Sequence, residues 1–387
     1  MTAGRLRIAV VDDSVVVRRL VADTLRSDPR IGEVRTATNG REGVTLVREM
    51  RPDLVTMDIE MPVLDGIAAL RELRRFDPRV PVIMFSTLTE AGAKATLDAF
   101  AAGATEFVTK PAQAHSLAAS LETIRRDLIG KVVALTTPPT ATGPVPLSMA
   151  PSGRPTSAQW PRAAGRGGVP VPRPVPSGPP RLVAIGSSTG GPEALGRVLA
   201  ALPGDLAVPV VVTQHMPAMF TRMLAHRLDA GAALRVREAT DGDVLEPGTV
   251  TIAPGGRHLV VLRSGAALTA RLTDDPPVHS CRPSVDVLFR SLPAAVGSAA
   301  LVVVLTGMGA DGAEGAARVA AAGGRVWVQD QATSVVWGMP GAVVAATAVE
   351  EVLPLDGVSP AIVRAVGRPG GRGASPTRLP LERQVAR

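Results

Sequence analysis

Three residues of the types that together activate a hydroxyl group stand just beyond apolar runs of this 387-residue chain: Ser188, His215 and Asp311. Leu182–Ile185 leads into Gly186-Ser187-Ser188-Thr189-Gly190-Gly191-Pro192, which contains Gly186-x-Ser188-x-Gly190. That spacing has the form of a nucleophile elbow, in which glycines permit a sharp strand-to-helix turn and leave the serine hydroxyl exposed. The helix that follows offers backbone N–H groups to a developing oxyanion. Alone, such a turn is as often a phosphate-binding loop or a plain connection. The partners decide it. Val210-Val211-Val212-Thr213-Gln214-His215-Met216-Pro217 places a histidine at a second strand end, and Leu301–Leu305 followed by Thr306-Gly307-Met308-Gly309-Ala310-Asp311-Gly312 places an aspartate at a third. In triad chemistry Ser188 attacks a carbonyl carbon, His215 takes the serine proton and returns it to the leaving group, and Asp311 orients the imidazole. The backbone N–H of Met308 is the first oxyanion candidate and that of Thr189 the second; one such donor is worth about 10²–10³ in rate. The chain order Ser, His, Asp differs from the Ser, acid, His of α/β-hydrolases, which excludes that fold.

A second set lies nearer the N-terminus. Asp12, Asp13, Asp58, Ser86 and Lys110 each follow a short apolar run. Carboxylates converging there repel one another, and a hard divalent cation held by oxygens, Mg²⁺, relieves the repulsion. The lysine adds a second positive charge. One aspartate can then act as nucleophile toward a phosphoryl group and form an acyl phosphate. The chain has three lysines among its 42 basic residues, and one of them falls at this strand end.

The elements that must position these groups read as two series. Strands are expected at Arg7–Val11, Arg35–Thr38, Leu54–Met57, Val82–Phe85 and Glu106–Thr109. Helices are expected at Val15–Arg26, Gly40–Met50, Gly66–Phe76, Glu90–Ala101 and Gln113–Ile129. The alternation predicts a doubly wound parallel sheet, in which chemistry collects at the carboxyl ends of the strands. After position 181 come strands at Leu182–Ile185, Val208–Thr213, Val250–Ala253, Ala300–Leu305 and Arg325–Val328, with helices at Pro192–Ala200, Phe220–Ala230 and Gly312–Ala321. The expected fold class is α/β: two doubly wound parallel-sheet domains joined by a Pro-rich linker.

Between them, Pro138–Pro180 contains 13 prolines and almost nothing that forms a core, which predicts an extended, largely disordered linker. The expected division is 1–130, a linker over 131–180, a second domain over 181–365, and a flexible basic tail over 366–387. The formal charge of +7 sits in the same places: residues 131–181 carry +6 and 364–387 carry +5, which leaves −4 elsewhere. No basic element interleaved with aromatics is present, so nucleic-acid binding is not expected. Met1–Val11 meets Asp12 and Asp13 and is no signal peptide, and no apolar run reaches the length of a membrane span. A single cysteine, Cys281, excludes an internal disulfide and suits a reducing cytoplasm. Cys281 reads as a small packing residue. His115 and His226 read as surface or capping groups, and His258 and His279 as histidines with no nameable triad partner. Met216, Met219 and Met223 read as packing, with an adaptable substrate rim as the alternative.

The N-terminal set resembles the receiver domain of two-component response regulators over about residues 5–128. The matching text is Val10-Val11-Asp12-Asp13-Ser14, Met57-Asp58-Ile59-Glu60-Met61-Pro62 with Asp65-Gly66, Ser86-Thr87, and Thr109-Lys110-Pro111. The resemblance implies a flavodoxin-like fold with Asp58 as phosphoacceptor, and a metal held by Asp12, Asp13 and Asp58 with the Glu60 carbonyl. It further implies Ser86 as the switch hydroxyl, Lys110 as its pair, a cis Lys110–Pro111 bond, and Phe107 as the aromatic that changes rotamer.

The C-terminal set resembles the catalytic domain of the chemoreceptor glutamate methylesterases (CheB type) over about residues 181–365. Ile252-Ala253-Pro254-Gly255-Gly256-Arg257-His258, Arg282-Pro283-Ser284-Val285-Asp286 and Gln329-Asp330 with Gly338-Met339-Pro340 support it. The order receiver, linker, catalytic domain is that family's, although this linker is longer than the family leads one to expect. The resemblance implies a hydrolase gated by a chemotaxis-type histidine kinase, whose unmodified receiver packs over the active-site face. The open enzyme would demethylate glutamate γ-methyl esters on the cytoplasmic helices of methyl-accepting chemoreceptors, release methanol, and deamidate glutamines at such sites. Mg²⁺ would serve the receiver, no cofactor the catalytic domain, and the location would be cytoplasmic. Two alternatives stay open: another protein ester in a non-chemotaxis system, and a non-catalytic receiver-regulated adaptor.

Overall fold

A computed structural model describes residues 5–110, 117–137 and 178–367. The Pro-rich stretch up to position 177, the basic tail from position 368, His115 and the Lys110–Pro111 bond lie outside the described residues.

The first unit alternates β1 (Leu6–Val11), α1 (Val15–Arg26), β2 (Ile31–Ala37), α2 (Gly40–Met50), β3 (Leu54–Asp58), α3 (Gly66–Phe76), β4 (Val82–Ser86), α4 (Glu90–Ala101), β5 (Glu106–Thr109) and α5 (Leu117–Thr136). The strands form one parallel sheet in the order β2-β1-β3-β4-β5. β3 and β4 are buried at every position, as expected of strands covered by helices on both faces. Polar N-caps start the helices: Ser14, Asn39, Asp65 and Thr89 each accept a backbone N–H of the first turn. β2 begins earlier than expected because it is an edge strand whose middle is mostly exposed, so it lacks an apolar signature. α5 runs on past Ile129 to Thr136 and takes in residues 131–136, expected in the linker. The cause is register: Leu128 and Val132 lie one turn apart and are both fully buried.

The second unit contains β6 (Leu182–Ser187), α6 (Gly191–Ala200), β7 (Val210–Gln214), α7 (Ala218–Gly231), β8 (Arg235–Glu238), β9 (Thr249–Ile252), β10 (His258–Ser264), β11 (Ala267–Thr273) and α8 (Val285–Val296). It continues through β12 (Ala300–Val304), α9 (Ala313–Ala321), β13 (Arg325–Gln329), α10 (Gly338–Ala346), β14 (Glu351–Leu353) and α11 (Leu355–Val366). Seven strands form a parallel sheet in the order β14-β13-β12-β6-β7-β9-β8, and β10 and β11 form a separate antiparallel hairpin. The order reverses at β6, so β12, β6 and β7 lie side by side at the topological switch point.

The units touch. α4 packs on α7, and one apolar cluster runs from Leu97, Phe100 and Phe107 into Phe220 and Leu224. The Phe107 and Phe220 rings are stacked, with centroids 4.7 Å apart. Arg222 lies 3.7 Å from Glu90 and Arg227 lies 3.8 Å from Asp98. Arg227 also donates to the Leu97 carbonyl.

Candidate functional site

Ser188, His215 and Asp311 follow β6, β7 and β12, three neighbouring strands whose ends are level because Ser187 pairs with Gln214 and Gly186 with Val304. The serine turn needs its glycines: Gly190 has φ +75, and a Cβ there would meet Val335 at 2.7 Å. Gln214 braces the turn, accepting from Ser187 Oγ at 2.7 Å and donating to the Ser188 carbonyl at 2.9 Å. The turn after β12 presses on the serine, since a Cβ on Gly307 would meet Ser188 Cβ at 2.9 Å. Both oxyanion candidates therefore border Ser188: Thr189 by sequence, Met308 by this approach. Among the described residues neither amide has a hydrogen-bond partner.

His215 and Asp311 are joined by a 2.8 Å hydrogen bond between Nε2 and Oδ2. The other ring nitrogen, Nδ1, lies 3.5 Å from Cys281 Sγ. Cys281, expected only to pack, thus touches the imidazole. Burial pushes the His215 imidazolium down, but the hydrogen bond to Asp311 and the contact with Cys281 outweigh it and push the pKa up to about 10.

Asp311 is seated on the N-terminus of α8. Ser284 Oγ and the Asp286 N–H donate to Oδ1 at 2.8 and 2.9 Å, and the Val285 N–H donates to Oδ2 at 2.7 Å. Burial pushes this carboxyl up, but His215 and the helix donors outweigh it and hold it below its ordinary range. Its neighbour Asp286 has fewer compensating bonds, and burial pushes it up. His279, from the turn before Cys281, lies 3.0 Å from Asp286. Met216 is buried, and Met219 and Met223 pack on the apolar cluster, which favours packing over a substrate rim. His226 is exposed, as expected.

At the carboxyl ends of β1, β3, β4 and β5 stand Asp12, Asp58, Ser86 and Lys110. Oxygens of Asp12, Asp13 and Asp58 lie within 4.8 Å of one another. Lys110 Nζ is 2.7 Å from Asp58 Oδ2 and 3.8 Å from Asp12 Oδ2. The 2.7 Å contact pairs the two charges, and among the described residues this buried Asp58 oxygen accepts no other hydrogen bond. Burial pushes Asp12 up to about 6, with Asp58 and Asp13 adding repulsion against the pull of Lys110. Burial also pushes Asp58 up, against Lys110 and the backbone N–H groups of Glu60 and Ile59. An all-oxygen donor set with crowded negative charge that a single lysine offsets only in part fits a hard divalent cation. Glu60 lines the adjoining cavity of about 590 Å³ together with Asp13. Ser86 Oγ is turned into α4, donating to the Gly92 carbonyl at 3.0 Å. Phe107 is buried against Phe220, and Lys131 donates to its carbonyl at 2.5 Å.

Residues 8–122 match the response regulator receiver domain and residues 183–362 match the CheB methylesterase family. A protein-glutamate methylesterase/protein-glutamine glutaminase of Nocardioides sp. is 52% identical over 94% of this chain and 96% of its own length. The chain belongs to the CheB methylesterase family. A Geobacillus kaustophilus protein of the same description is 43% identical over 94% of this chain and 99% of its own. The catalytic domain of Thermotoga maritima CheB methylesterase is 39% identical, with TM-score 0.47, covering 49% of this chain and 98% of that one.

Within this CheB-type framework, sequence reasoning missed the support around Asp311. Ser284 and Asp286 stand in Arg282-Pro283-Ser284-Val285-Asp286, and a serine two residues before an acid was a legible helix start. Pro293 within α8 obscured the rest of that helix. The Cys281–His215 contact had no local signal, because 66 residues separate the pair.

Proposed function

We propose that the chain is a phosphorylation-gated serine hydrolase that removes methyl esters from glutamates of chemoreceptors, with Ser188, His215 and Asp311 as its catalytic triad. The observation that supports this reading is that the three residues follow the adjacent strands β6, β7 and β12, with His215 bonded to Asp311 at 2.8 Å. Ser188 attacks the γ-acyl carbon. His215 takes the hydroxyl proton through Nδ1 and delivers it to the departing methoxide, which leaves as methanol. The Met308 and Thr189 amides receive the oxyanion. Water then attacks the acyl-serine by the same route, freeing the glutamate and restoring Ser188. A glutamine side chain presents the same acyl carbon with ammonia as leaving group, which accounts for deamidation.

The receiver over residues 1–130, whose last helix runs on to Thr136, supplies the gate to a catalytic domain over 181–365. Asp58 accepts the phosphoryl group from a chemotaxis-type histidine kinase, and Lys110 offsets its charge. Asp12, Asp13, Asp58 and the Glu60 carbonyl would hold Mg²⁺, which neutralises phosphoryl oxygens when bound. Ser86 leaves its bond to Gly92 on α4 and turns to the phosphoryl group. α4 packs on α7, and α7 begins three residues after His215. Phe107 stacks on Phe220 of the same helix. A charge change at Asp58 thus biases a domain contact one short segment from the catalytic base. The enzyme acts in the cytoplasm on the helical cytoplasmic part of membrane-bound receptors. Among the described residues no helix is long and apolar enough to cross a membrane.

The test is methanol release from methylated receptor membranes by wild type and Ser188→Ala, with and without a small-molecule phosphodonor and Mg²⁺. Release that depends on Ser188 and rises with the phosphodonor is expected. Release by Ser188→Ala at the wild-type rate would overturn the triad.

A further inference from the structure

His258 is fully buried, and no step of the proposed chemistry uses it. It opens β10, the first strand of the antiparallel hairpin, and both of its ring nitrogens are engaged. The Ser284 backbone N–H donates to Nδ1 at 3.1 Å. Nε2 lies 3.2 Å from the Pro276 carbonyl. The two partners fix the tautomer. A carbonyl only accepts, so Nε2 carries the proton, and an amide only donates, so Nδ1 presents its lone pair. His258 is therefore a neutral imidazole that clamps one specific peptide group.

That peptide group opens the seat of Asp311. Ser284 is the N-cap of α8, and its hydroxyl together with the next two backbone N–H groups closes on the Asp311 carboxylate. Asp311 in turn holds the His215 ring. From these contacts we infer that His258 is a positioning residue: by anchoring the Ser284 amide it sets the first turn of α8, and so the orientation of Asp311 and His215. The inference rests on the triad reading above. It adds a residue from a different supersecondary unit, the hairpin, to the machinery that aims the base. Without an acceptor at Nδ1, the Ser284 N–H becomes a buried unsatisfied donor and the helix start loses its anchor to the hairpin, which leaves its position to the bonds with Asp311 alone. A misplacement of about 1 Å in a catalytic group can cost about 10²-fold in rate.

The experiment compares His258→Asn with His258→Gln in the full-length protein. Asparagine carries its oxygen near the Nδ1 position, whereas glutamine reaches toward Nε2 and leaves Ser284 without its acceptor. Three quantities are read: kcat and KM for methanol release from methylated receptor membranes with phosphodonor, the melting temperature, and the proton NMR resonance of the His215 Nε2–H bonded to Asp311. The expected result is a kcat for His258→Gln lowered about 10–10²-fold at unchanged KM, with that resonance shifted or lost. His258→Asn should keep both near wild type. Equal kcat and equal resonances in the two variants would overturn the inference, as would losses that follow melting temperature alone. Ser188→Ala separates the two levels. If it still hydrolyses the ester, the triad reading falls and takes this inference with it. If it is inactive while His258→Gln turns over as wild type, only the role of His258 falls.

Discussion

His215 Nδ1 faces Cys281 Sγ at 3.5 Å while its Nε2 is bonded to Asp311 at 2.8 Å. The ring is held from both sides, and its charged form is favoured, with the pKa pushed up to about 10. An imidazolium cannot take the Ser188 proton, so activity rises with pH as His215 becomes neutral. Cys281→Ala removes one of the groups that favour the charged form. The His215 pKa then falls, and the neutral base becomes available at lower pH. The acid limb of kcat/KM against pH should move to lower pH in that variant. An unmoved limb would show that the thiol does not tune the base.

Arg227 of α7 pairs with Asp98 of α4 at 3.8 Å and binds the Leu97 carbonyl. Arg227→Glu sets like charges against each other at this contact. Exposed ion pairs are worth about 0–1 kcal/mol, and a loss of about 1 kcal/mol raises the undocked population about fivefold. Methanol release without phosphodonor should rise by about that factor, while the rate with phosphodonor stays close to wild type. A basal rate that does not change would place the gate elsewhere.

Asp12 in the receiver has its pKa raised from 3.8 to about 6 by burial and neighbouring carboxylates. A carboxyl raised on folding contributes stability that is fully present below its unfolded value and is lost as pH rises through about 6. The loss at neutral pH is on the order of 2–3 kcal/mol. Mg²⁺ held at the proposed site would favour the charged form and offset that loss. Mg²⁺ should therefore raise the receiver's melting temperature more at pH 7.5 than at pH 5, and a chelator should remove the difference. Equal stabilisation at both pH values would detach Asp12 from metal binding.

Gly307 lies where a Cβ would meet Met339 Sδ at 2.3 Å and Ser188 Cβ at 2.9 Å. Gly307→Ala must displace the turn that carries Met308. Overpacking of this kind costs about 1–3 kcal/mol. The variant should stay folded with a lower melting temperature and lose about 10²-fold in kcat, because Met308, the proposed oxyanion donor, moves with the turn. Unchanged kcat would remove Met308 from the oxyanion site.

Much of this protein is written in local pattern. Apolar runs ending at Asp12, Asp58, Ser86, Ser188 and His215, with helical periods between them, were enough to read two parallel sheets and both sets of reactive groups. In a doubly wound sheet, strand ends converge whatever the loops do. The observed bounds of α1, α2, α3, α4 and β5 coincide with the periodic reading, since caps and turn residues mark them. Edge strand β2, helix α8 with its internal proline, the β10–β11 hairpin and the far end of α5 were misread or not read at all. Their signals are diluted by exposure, by a breaker residue, or by a Pro-rich flank.

Residue types and strand order, then, determined from sequence which chemistry the protein carries and on which strand ends it stands. Tertiary structure alone decided what surrounds those groups. The Asp311 seat on α8, the His258 clamp, the Cys281 contact and the Phe107–Phe220 stack join residues that are 25 to 113 positions apart. Nothing local encodes such meetings: they follow from how hairpin, helices and sheets pack, and at His215 and Asp311 the hydrogen-bond partners brought there outweigh burial in favouring the charged forms.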